Sequence, residues 1–170
     1  TAAIVVVAVV TTLLTGYFLG KRLGLNRAQG TLSGGSVAIC GASAALAISS
    51  VLPRTKESER FTLMVVVTVT VLSTVAMVAY PLIARALNLP PELAGLFLGG
   101  TIHDVAQVVG AGYMIDHPTG DYATIVKLFR VSMLAVVVVA VSAMFKTERE
   151  QAEREIAING GLETTKKQAL

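Results

Sequence analysis

Residues 93 to 115, LAGLFLGGTIHDVAQVVGAGYMI, place adjacent His103 and Asp104 and the amide of Gln107 inside an apolar run of membrane-spanning length. An imidazole beside a carboxylate suits proton exchange. Polar groups at that depth are costly and by default mark a pathway or a binding site. On a helix of 3.6 residues per turn, His103 and Gln107 share a face with Gly99, Gly100, Ala106 and Gly110, while Asp104 points about 100° away from His103. One site uses both only at a helix break or a shared rim. The plainer reading is a histidine bonded to a neighbouring carbonyl, with Asp104 capping a half-helix.

Lys127 and Arg130 add two cations on one face of a later apolar run. Lys127 has the reach to snorkel to the interface, but Arg130 sits about 10 Å in from Thr124 at 1.5 Å per residue. A guanidinium there needs a partner: Asp104, Gln107, a carbonyl or a bound anion. Anion binding or gating and a structural pair with Asp104 are both open. A second glycine-rich stretch, Ser33 to Ser43 (SGGSVAICGAS), holds Gly34, Gly35, Ser36 and Ser43. Unwound there, it presents N–H groups and hydroxyls to an oxyanion. Cys40 has no charged neighbour in sequence and reads as packing. The hydroxyl run Thr68, Thr70, Ser73 and Thr74 reads as interhelical hydrogen bonding.

The elements that must position these groups are membrane helices. Hydrophobic residues make up 54% of the 170-residue chain, and mean hydropathy is +0.70. Successive apolar runs of about 20 residues are what a bilayer demands and a soluble core does not. The expected fold is all-α and polytopic, with a membrane domain over 1–145 in segments 2–19, 30–52, 61–83, 93–115 and 124–145. Segments 30–52 and 93–115 are glycine-rich and are expected to be broken, since freed backbone groups in a membrane must face protein or water. Gly34-Gly35-Ser36-Val37 also resembles Gly99-Gly100-Thr101-Ile102, and paired interrupted segments point to a transporter's midplane site. Close helix packing through glycine is the competing explanation.

Charge gives an orientation. Lys21, Arg22 and Arg27, with the charged segment 146–170, belong on the cytoplasmic side; Asp116 to Ala123 lacks Lys and Arg and belongs outside. With five crossings, the expectation from segment lengths, the loop PRTKESER at 53–60 falls outside against the rule. Re-entry of both glycine-rich segments from one side removes that conflict. The formal charge of +3 resides mostly in membrane-flanking segments, so nucleic acid is not an expected partner. One cysteine excludes an internal disulfide. A closed metal site from His103, Cys40 and Asp104 is not expected, with His117 in a polar loop, and no cofactor is expected. The chain begins at Thr1 directly in an apolar run and ends in a charged stretch, which reads as a piece of a longer protein whose other parts are expected partners.

Three motifs occur in order: Gly34-Gly35-Ser36 with Ile39-Cys40-Gly41-Ala42-Ser43, then Gly100-Thr101-Ile102-His103-Asp104-Val105-Ala106-Gln107-Val108, then Ala123-Thr124-Ile125-Val126-Lys127-Leu128-Phe129-Arg130. Together they resemble the YeiH-type bacterial membrane proteins, commonly labelled sulfate exporters. The resemblance covers the chain to about Phe145 and implies a multi-pass carrier of the inner membrane. It carries over no proven ligand.

The residues therefore lead to secondary transport of a small anion, sulfate or a related oxyanion on the resemblance. Gly34, Gly35, Ser36, Ser43, Gly100, Thr101, Gln107, Lys127 and Arg130 are the expected substrate-binding residues, with His103 and Asp104 for proton coupling. The alternatives are a cation/proton exchanger centred on Asp104 and an intramembrane enzyme using His103 and Asp104 with Ser36 or Ser43 as nucleophile. No G-x-S-x-G or H-E-x-x-H motif supports the enzyme.

Overall fold

The computed structural model describes residues 2–168, which form helices joined by short turns, with no strand among them. The helices are α1 (Ala2–Arg22), α2 (Arg27–Ala38), α3 (Ala42–Ser49), α4 (Lys56–Ala86), α5 (Pro91–Thr101), α6 (Val105–Tyr113), α7 (His117–Met144) and α8 (Lys146–Gln168). Three are long and apolar enough to span a bilayer: α1, α4 and α7. The two glycine-rich segments are broken, as the sequence predicts, at Ile39-Cys40-Gly41 and Ile102-His103-Asp104.

Neither broken segment crosses, which corrects the expectation of five spans. Each is a re-entrant hairpin, and the two enter from opposite faces. On one face the start of α2 and the start of α4 adjoin, with Gln29 Nε2 donating to Glu57 at 3.4 Å. Arg27 on that face pairs with Glu148 at 3.6 Å and lies over the Phe145 ring. Leu32 of α2 packs with Ala45, Ile48 and Leu52, so α3 runs back beside α2. On the other face Arg85, at the end of α4, donates to the carbonyl of Met114 just beyond α6. Near the start of α5, Glu92 there accepts from Tyr122 of α7 at 3.5 Å.

Arm length explains the difference. With 12, 8, 11 and 9 residues, α2, α3, α5 and α6 are about 12 to 18 Å long, half of a bilayer core of about 30 Å. Apolar composition alone does not separate one span from two half-spans. Re-entry also places 53–60 beside Lys21, Arg22, Arg27 and Lys146, leaving Arg85 as the basic residue of the opposite face among the described residues. The positive-inside rule makes the basic face cytoplasmic. The sequence reading allowed re-entry from one side only; the structure resolves the charge conflict with one hairpin from each.

Glycine serves packing more than it serves the breaks. Gly34 faces the backbone of Gly16, a Cβ there standing 3.2 Å from the Gly16 Cα, and Gly20 meets Gly30 at 3.0 Å. These contacts seat α2 on α1. Gly95 and Gly99 seat α5 on α7, and Gly112 meets Gly120 at 2.8 Å to seat α6 there. Small residues that admit close backbone approach are the usual adhesive between membrane helices. Asp116 caps α7 by accepting from the Thr119 N–H at 2.8 Å, which holds its carboxyl below the usual carboxylate range.

Candidate functional site where two hairpin tips meet

The two tips touch. A Cβ on Gly41 would stand 3.1 Å from His103 Cβ and 3.5 Å from Val69 of α4. Around this point α4 supplies one wall and α7 the other. Val5 and Val9 of α1 pack on the first tip with Ala38, Ile39, Cys40 and Val126, closing a small apolar core.

Lys127 and Arg130 join the tips. Lys127, with no exposed surface, donates from Nζ to the carbonyls of Ile39 (2.9 Å) and Ile102 (2.8 Å), one from each hairpin. Arg130, 6% exposed, donates to Ala38 (2.5 Å) and Val37 (3.1 Å) on the first hairpin and to Gly100 on the second. These carbonyls end α2 and α5, where helix geometry leaves acceptors unpaired and the dipole is negative. A cation at each such end satisfies both. The structural equivalents Ile39 and Ile102 are two residues out of register with the sequence match between Gly34 and Gly99. Among the described residues neither cation has a carboxylate within ion-pair distance, so the pairing of Arg130 with Asp104 does not form.

The two returning helices start differently. Asp104 caps α6, its Oδ1 accepting from the Gln107 N–H at 3.2 Å. Ser73 of α4 accepts from the Asp104 N–H at 3.2 Å and donates to Gln107 Oε1. Gln107 Nε2 donates to Thr74 at 3.1 Å. Of the predicted hydroxyl run, Ser73 and Thr74 thus bond between helices, whereas Thr70 bonds Val66 of its own helix at 2.8 Å. By contrast α3 has Gly41 (φ 66°) at its N-cap and no side-chain cap. Its first backbone bond runs from Ala45 to Gly41 at 2.9 Å. The N–H groups of Ala42, Ser43 and Ala44 precede it without a backbone acceptor among the described residues, and those of Ala42 and Ser43 lie on residues that are not buried.

The predicted site residues divide accordingly. His103, Asp104, Gln107, Gly100, Lys127, Arg130 and Ser43 gather at the tips. Gly34 and Gly35 lie in the stem of the first hairpin, against Gly16 and Ile48 respectively. Ser36 is buried with its hydroxyl donated to Leu32 O at 2.6 Å, and Thr101 donates to Phe97 O at 2.5 Å. Ser43 is exposed and donates to Cys40 Sγ at 2.9 Å. His103 Nδ1 is buried without a partner, and no Ser–His hydrogen bond forms among the described residues. Nor do they contain a cluster that could hold a metal. Sequence reasoning gave Ser73 and Thr74 an interhelical role without naming the second tip as their partner, and it missed Ile39 and Ile102 as acceptors. The hydroxyls carried a signal; the carbonyls carry none, because every residue has one.

Three spans and two opposed re-entrant hairpins, closed on buried cations, define a multi-pass membrane protein. The model of the family described as Conserved hypothetical protein 698 matches residues 1–160, and the chain belongs to this family. It is 54% identical over 144 residues to a UPF0324 membrane protein of Chlorobaculum tepidum, covering 85% of this chain and 40% of that one. Against the UPF0324 membrane protein TauZ of Paracoccus pantotrophus the identity is 56% over 140 residues, 82% of this chain and 41% of the relative. A UPF0324 membrane protein of Rhizobium meliloti is 50% identical over 147 residues, 86% and 43% of the two chains. The chain thus spans about two fifths of the length of these relatives. No solved structure matches it.

Proposed function

We propose that this chain forms the substrate-binding part of a secondary transporter for a small anion, sulfate or a related oxyanion, in the bacterial inner membrane. The observation that carries the reading is the excess of positive charge at the meeting tips. Two buried cations and the uncapped start of α3 stand there, against Asp104 as the one acid of that region among the described residues. Lys127 and Arg130 act by field and by fixing the tips, with two Lys127 donors and three Arg130 donors given to carbonyls. The N–H groups of Ala42 and Ser43 and the Ser43 hydroxyl make the direct contacts. Opposed half-helices with open termini are the arrangement by which transporters hold ions at the bilayer midplane.

Sulfate, sulfite and small carboxylates, tested singly, should include one that raises the unfolding temperature of the complete protein, since a native-state ligand at a hundred times its Kd adds about 2.7 kcal/mol. Response to a cation with none to any anion would overturn the reading in favour of exchange at Asp104. Arg130→Gln should abolish anion flux in proteoliposomes while the protein still inserts; unchanged flux would remove Arg130 from the site.

A further inference from the structure

We propose that Asp104 is the coupling proton carrier of this site and that its position fixes the sign of coupling, so that anion and proton travel together. The inference rests on the anion reading above. Asp104 lies two residues from Ile102, whose carbonyl Lys127 holds at 2.8 Å. One carboxylate oxygen caps α6, and the residue is exposed at the tip. A carboxylate there lowers the positive charge that attracts an anion, and a protonated carboxyl restores it. Binding of either ligand then strengthens the other, and the coupling is reciprocal.

The other charged and titratable groups around the tips are Lys127 and Arg130 from α7, Cys40 from the first tip and His103 beside Asp104. From α4 come Thr70, Ser73 and Thr74, which hold hydroxyls and no charge. His103 is the competing carrier, but its buried Nδ1 has no acceptor for a second N–H. Lys127 and Arg130 are committed to carbonyls of both tips. Asp104 is exposed at the tip and gains or loses a proton without breaking a bond between hairpins.

Asn is as good an N-cap as Asp, so Asp104→Asn keeps the cap and fixes the site in the charge state of the protonated acid. The complete protein in proteoliposomes, probed with radiolabelled sulfate from acidic to mildly alkaline pH, tests this. In the unaltered protein the half-saturating sulfate concentration should rise with pH, by at most about tenfold per pH unit, the limit for one coupled proton. An inward proton gradient should drive sulfate inward. Asp104→Asn should exchange sulfate for sulfate with a pH-independent half-saturation and lose gradient-driven accumulation. Retained gradient-driven accumulation in Asp104→Asn, its loss in His103→Gln instead, or proton movement opposite to sulfate would overturn the assignment. No sulfate exchange in the unaltered protein would overturn the sulfate reading itself, and with it this inference.

Discussion

The tip at Ile39–Gly41 and the tip at Ile102–Asp104 answer the same requirement in opposite ways. Both must turn a chain in the middle of a bilayer, and both give their last helical carbonyls to Lys127 and Arg130. The second tip satisfies its returning helix internally, through Asp104, and docks it on α4 through Ser73, Thr74 and Gln107. The first relies on Gly41 in the left-handed region and leaves α3 without a cap. One tip is finished and the other is left open, and an unfinished helix start beside two cations is where a ligand has something to contribute.

The comparison can be broken most severely at its common support. Lys127→Ala removes the buried cation and strands a carbonyl on each tip, which at about 1 to 3 kcal/mol for each unsatisfied buried acceptor should cost about 2 to 6 kcal/mol in chemical unfolding of the detergent-solubilised protein. A loss below about 1 kcal/mol would mean the carbonyls find other donors. Next comes the open tip: Gly41→Ala forces a Cβ into a positive-φ position against His103, at a cost of about 1 to 2 kcal/mol. It should also reduce sulfate-induced stabilisation.

Smaller effects sharpen the contrast. Ser73→Ala should loosen the finished tip by about 1 kcal/mol and raise amide hydrogen exchange in α6 while leaving α3 unchanged. Equal exchange increases in both hairpins would show that the tips are not independent. Gly100→Ala is the smallest change: a Cβ there meets nothing within 4 Å, so it should shift stability by less than about 0.5 kcal/mol. Any larger loss of transport would place an occupant in that open space.

Much of this was written plainly in the sequence. Three spans follow from apolar length, and the interruptions follow from glycine beside polar residues. Asp104 as a half-helix cap was legible from its place before Val105. Re-entry was not, because a hairpin of two short apolar arms and a single span have the same composition and total length. Its one trace was the misplaced charge of 53–60, which pointed to re-entry but not to opposite entry faces. Nor could the stems be told from the tips: Gly34 and Gly35 sit in the same motif as Ser43, yet the former pack against Gly16 and Ile48 while Ser43 lies at the opening.

The bonds from α7 also set an order of assembly. Lys127 reaches back 88 residues to Ile39 and Arg130 reaches 92 to Ala38. During synthesis the first hairpin therefore enters the membrane before its permanent partners exist. Until α7 follows, the glycine contacts with α1 are what hold it, and the same two side chains then close both hairpins.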